Sequence, residues 1–170
     1  MEPFELKPLT QAGIPGAIEK ARQYRLLNEP GVAESICRDV LVLDDGNNEA
    51  RVVLLLSLTD MFARGIAERF DEALAIARAM PDGYERAYYA GIVYERRAKA
   101  HHRSASPAAG QVAYEWFRRA MAMFAEAEQL RPEGDDSAIL RWNSCVRRLR
   151  AHADLHPDVD DGSVAPQLGE

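Results

Sequence analysis

Residues 84–94, YERAYYAGIVY, and residues 120–132, AMAMFAEAEQLRP, decide the fold. In the first stretch Ala87, Ala90, Gly91 and Tyr94 recur at steps of three and one, then three, which places them on one face of a helix. In the second, Ala120, Phe124 and Ala127 recur at four and three, and Pro132 stops the pattern. Small residues on both faces let two helices approach closely, and the large residues between them fill the gaps. These two stretches therefore predict a helix over 84–101, a helix over 111–131 and a loop between them.

The same reading extends outward in both directions. Pro15 suits a first helical position, where its missing N–H would have no partner anyway, and Ala17, Ala21 and Tyr24 follow at helical spacing. This predicts helices over 15–28 and, after the break at Asn28-Glu29-Pro30-Gly31, over 31–43. The turn signal DDGNN at 44–48 introduces a helix over 48–61 that is apolar nearly all round: Val52, Val53, Leu54, Leu55, Leu56 and Leu58. Such a helix must be enclosed by others. Helices over 68–80 and 136–152 complete a set of seven. No segment alternates with period two, so the expected class is all-α. Residues 1–13, with prolines at 3 and 8, read as an extended arm, residues 14–152 as the helical domain, and residues 153–170 as a flexible acidic tail.

Seven helices with short turns fit either a bundle or a solenoid, and internal repetition separates the two. Gly91-x2-Tyr94 followed by Ala120-x3-Phe124-x2-Ala127-x4-Pro132 resembles the tetratricopeptide repeat. Ala21-x2-Tyr24 followed by Ala33-x3-Cys37-x2-Val40 resembles it again, with the family period of about 34 residues running from Ile14 to Asn48. Residues 48–81 look like a degenerate copy, the second in chain order, with Leu55-x2-Leu58 and Ala73-x3-Ala77-x2-Met80. Extra residues separate the helices of this copy around Met61–Arg69, and a longer insertion lies between Tyr94 and Ala120. The resemblance covers about 14–150. It implies a right-handed superhelical stack of antiparallel helix pairs, with the last helix as the terminal cap.

Composition narrows the function classes. A net charge of −6 lacks the positive field that nonspecific nucleic-acid binding requires. The longest dense apolar stretch, Val52–Leu58, is far short of the ~20 residues of a membrane span. No signal peptide is visible, and Cys37 and Cys145 fall at apolar helical positions, as expected of buried thiols in a cytoplasmic protein. Phosphate-binding, nucleophile-elbow and zinc-hydrolase motifs are absent from the sequence, so no catalytic residue and no cofactor is expected. His101-His102 and His152-x3-His156 lack a cysteine or carboxylate at ligand spacing, so no metal site is expected either.

In tetratricopeptide proteins the first helix of each pair lines a concave groove. By that resemblance the groove candidates are Arg22 and Arg25 (with Ile18), Leu56 (with Val52 and Thr59), Tyr88, Ile92 and Arg96 (with Glu95), and Asn143 and Arg147 (with Ile139). The competing reading is that these side chains pack against the inserted segments. Trp116 and Trp142 are expected in the core, and Tyr88 as a ligand contact. The implied function is a scaffold or adaptor that binds a peptide segment of a protein partner. The alternatives are a small dedicated chaperone, similar to the three-repeat chaperones of bacterial secretion systems, and a self-associating structural subunit that forms a homo-oligomer.

Overall fold

A computed structural model of the chain describes residues 4–65 and 67–158. Seven α-helices form, and no strand is found among the described residues: α1 (Ile14–Leu26), α2 (Pro30–Leu43), α3 (Asn48–Asp60), α4 (Ala67–Arg78), α5 (Gly83–His102), α6 (Ala109–Leu130) and α7 (Ser137–Ala151). The chain is therefore all-α.

Local chemistry sets the boundaries. At the end of α1, Asn28 adopts the left-handed conformation (φ 61°), Asn28 N donates to Arg25 O at 3.0 Å and Glu29 N to Tyr24 O at 2.8 Å. This is a Schellman cap with asparagine in place of the usual glycine. Pro30 opens α2 at once, so three residues suffice to end one helix and start the next. Asn47 Oδ1 caps α3 by accepting from Ala50 N at 2.9 Å, and Asp82 Oδ1 caps α5 by accepting from Glu85 N at 3.0 Å.

Consecutive helices pack against one another throughout, and α1 also meets α3, as α3 meets α5. The apolar helix α3 is central: Val53, Leu54, Leu55 and Leu58 are at most 3% exposed. Ser57, on the same helix, returns its hydroxyl to Val53 O at 2.7 Å, which satisfies that buried group. The tightest packing is between α5 and α6. A Cβ on Gly91 would stand 2.5 Å from the Phe124 ring, so the α5 backbone lies directly on an aromatic face. Ala87, Ala90 and Ala98 on α5 and Ala113, Ala120 and Ala127 on α6 are buried with them.

The insertion expected between Tyr94 and Ala120 lengthens helices instead of adding a lid. The helices α5 and α6 run to 20 and 22 residues, against 12 to 14 in α1–α4. The histidines at 101 and 102 are the last turn of α5, and 103–108 alone form the connection. The segment read as a tail from residue 153 is described as far as residue 158. Leu155 is 5% exposed within the cluster built on Phe117 and Phe124, so the segment just after α7 folds back onto the domain. Residues 159–170 lie outside the described residues, as do residues 1–3 of the arm. Trp116 and Trp142 sit at the edges of the core, half-buried.

Two glycine substitutions test this packing. Gly91→Ala is expected to destabilise by about 1–3 kcal/mol in chemical denaturation, because the Phe124 ring cannot retreat. Gly16→Ala in α1, where nothing lies within 4 Å of the new methyl group, is expected to stabilise by roughly 0.5–1 kcal/mol.

Candidate functional site

The helices α1, α3 and α5 share one side of the molecule, and two adjoining cavities open there. One, of about 360 Å³, is lined by Arg22, Arg25, Asn48, Glu49, Val52, Leu56, Glu85 and Tyr89 among others. The other, of about 380 Å³, is lined by Arg25, Asn28, Thr59, Asp60, Arg96 and Arg103 among others. Arg25 lines both, so the two form one run across the three helices.

Apolar floor and charged rim come from the same helical faces. On α3, Val52 and Leu56 supply the floor one turn apart, and Asp60 follows at the next turn. Asp60 is the hub: its Oδ2 accepts from Arg25 Nε at 2.9 Å and is ion-paired with Arg25 Nη2 at 2.8 Å, and its Oδ1 accepts from Arg96 Nη1 at 3.1 Å. This single carboxylate joins α1, α3 and α5. Arg22 donates to Glu49 Oε2 at 2.6 Å, and Asn48 Nδ2 donates to Glu85 Oε2 at 2.9 Å, repeating the same two interhelical links at the other end. The second cavity is lined by three arginines and one carboxylate: Arg25 and Arg96 pair with Asp60, and Arg103 adds a further positive charge, on a chain whose net charge is −6.

Four of the sequence-derived candidates meet here: Arg22, Arg25, Leu56 and Arg96, with Val52 and Thr59 beside them. The other four do not. Tyr88 stacks on Tyr84 (centroids 5.7 Å apart, 15° between planes) and meets Tyr89 edge-on, with Phe124 6.2 Å away. Ile92 is 2% exposed and packs with Phe117 and Phe124. Asn143 is half-buried on α7, Arg147 is exposed there, and neither lines either cavity. Glu95, expected beside Arg96, is fully buried, ion-paired to Lys99 and bonded by Arg141 NH1 at 3.3 Å, and so fastens α7 to α5. On α5 the residues linked to α3 are Glu85 and Arg96, with Tyr89 beside them, and of these only Arg96 was among the candidates; Tyr88 and Ile92 are instead taken up by the Phe124 side of the packing. The face turned toward α3 carries Glu85, Tyr89 and Arg96, whereas 88, 92 and 95 point toward α6 and α7. Glu85, Tyr89, Asp60 and Arg103 escaped the sequence reading. The spacing 85, 89, 96 is itself helical, and would have identified the face had a partner for it been known.

Both cysteines are free and buried, and burial pushes the Cys37 thiol up to about 11 and the Cys145 thiol up to about 12. A thiol held protonated is a poor nucleophile. The histidine pairs behave differently from expectation. His102 and His152 meet edge-to-face with centroids 4.8 Å apart, and Asp154 Oδ2 lies 2.9 Å from His102 Nε2. The carboxylate thought to be lacking is thus present, supplied by the segment that follows α7. No described helix is long and apolar enough to cross a membrane.

No family model, curated protein or solved structure matches the chain.

Asp60→Ala leaves Arg25 and Arg96 part-buried and facing each other, and is expected to cost roughly 1–3 kcal/mol of stability, read by urea denaturation. A cost within the scatter of surface substitutions would show that the hub is solvent-screened. Neither cysteine is expected to react with a disulfide-forming thiol reagent at neutral pH in the folded protein, and both are expected to react once the protein is unfolded in denaturant.

Proposed function

We propose that the chain is a binding module, not an enzyme, and that the α1–α3–α5 side receives a peptide segment of a protein partner. The observation that carries this reading is the continuous pair of cavities joined at Arg25, with an apolar floor of Val52 and Leu56 beside Tyr89 and a rim rich in arginine. Apolar anchors with an aromatic side chain supply affinity at such surfaces, and flanking charges supply orientation and encounter rate. The excess of guanidinium groups favours a segment with an acidic residue next to apolar ones.

Helix spacing supports a tetratricopeptide-like arrangement. The helices α1, α3 and α5 open at Ile14, Asn48 and Gly83, intervals of 34 and 35 residues. In such a stack the first helix of each pair faces the ligand, which is the side the cavities occupy. We read the chain as a cytoplasmic adaptor or small chaperone of this type. Self-association is the second reading, favoured by Leu6 and Val42, which are 90% and 84% exposed around an apolar cavity between the N-terminal arm and α2. A monomer in dilute solution by light scattering removes that reading.

For a partner captured by the intact chain, Tyr89→Ala and Arg25→Gln are each expected to weaken binding about tenfold or more, ~1.4 kcal/mol, with the fold retained. Tyr88→Ala is expected to lower stability more than affinity. Raising salt is expected to slow association more than it speeds dissociation. Affinity unchanged by both groove substitutions would refute the reading.

A further inference from the structure

Three of the four histidines of the chain come to one end of the molecule: His102 ends α5, and His152 and His156 lie on the segment that follows α7. His102, His152 and Asp154 each present a ligand atom within 4.8 Å of the others. His156 lines the same cavity of about 280 Å³ as His102 and Asp154. Packing holds this arrangement in place. Leu155, between Asp154 and His156, is buried, and a Cβ on Gly110 would stand 2.3 Å from Asp154 O. Glycine alone at position 110 lets the segment lie against the start of α6.

We propose that His102, His152, Asp154 and His156 bind a first-row divalent cation of the zinc type, which ties the segment after α7 to the end of α5. His102, His152 and Asp154 already stand together, and His156, on the same cavity, swings in to complete three imidazoles and one carboxylate, the donor count of a structural site with no open position. Donor atoms around tetrahedral zinc stand about 3.3 Å apart for metal–ligand distances of ~2.0–2.1 Å. The His102–Asp154 pair is already closer than that, and Asp154 and His156 are exposed and free to adjust.

Tautomers sharpen the proposal. His156 Nδ1 lies 2.8 Å from Pro157 O, which can only accept, so Nδ1 carries the proton and Nε2 keeps its lone pair for a metal. His102 is set the other way. Arg148 NH2 lies 3.2 Å from its Nδ1, and a guanidinium can only donate, so Nδ1 accepts and Nε2–H donates to Asp154. To ligate, His102 must give up the Nε2 proton and take one on Nδ1, and Arg148 must withdraw. Arg148 is thus the built-in competitor of the metal. This inference does not depend on the groove.

The test uses the full chain without a histidine tag. Zn²⁺ is titrated calorimetrically, and Co²⁺ reports geometry by visible absorption. One equivalent is expected to bind, with the intense bands of tetrahedral Co²⁺ and a raised melting temperature. Asp154→Asn and His156→Ala alter exposed side chains, so circular dichroism should stay unchanged while Zn²⁺ affinity falls about tenfold or more. Arg148→Gln, whose amide oxygen can accept from Nδ1–H of His102, should tighten binding. Absence of saturable binding, affinity indifferent to Asp154→Asn and His156→Ala, or weaker binding by Arg148→Gln would each overturn the proposal.

Discussion

A helix that is apolar nearly all round has to be surrounded, and in this chain α3 imposes that requirement on the rest. Burying Leu54, Leu55 and Leu58 with Val53 is worth roughly 1.5–3 kcal/mol for each side chain. That stabilisation is available only if α1, α2, α4 and α5 close around the helix. The same helix then has one strip left over. Val52, Leu56 and Asp60 face the gap between α1 and α5, so the element that organises the core also supplies the floor and the ionic hub of the candidate site. Core and site are therefore coupled through one helix, and the site is as rigid as the packing behind it.

The C-terminal half obeys a different constraint. The α5–α6 pair is long because its contact is backbone-close: glycine against phenylalanine, with alanines on both faces. Close approach needs no large side chain to continue, so the helices extend through the stretch that a regular repeat would give to a turn. Extension buries Glu95, and a buried carboxylate requires partners. Lys99 and Arg141 are those partners, and Arg141 brings α7 with it. The end of α5 then meets the segment after α7, which is where the histidines gather.

The helices were legible in the sequence because their caps and stops are local: Pro15, Asn28-Glu29-Pro30, Asn47, Asp82 and Pro132 act within a few residues of where they stand. The central position of α3 was legible from composition alone. Which side of α5 faces α3 was not, since Tyr88 and Tyr89 are adjacent in sequence and chemically identical. Only the approach of α6 at Gly91 decides between them. The histidine cluster was hidden for a related reason. Asp154 reaches His102 across 52 residues, through the fold-back fixed by Leu155 and Gly110, and no periodicity records such a contact.

Tyr89, and not Tyr88, lines the cavity across α1, α3 and α5. The most direct measurement replaces each tyrosine in turn with a photo-crosslinking phenylalanine analogue, with a control at exposed Arg118 on α6, and irradiates the partner-bound protein. Partner-specific crosslinks are expected from position 89, and none above background from 88 or 118. Equal crosslinking from all three positions, or crosslinks from 118 alone, would contradict that expectation.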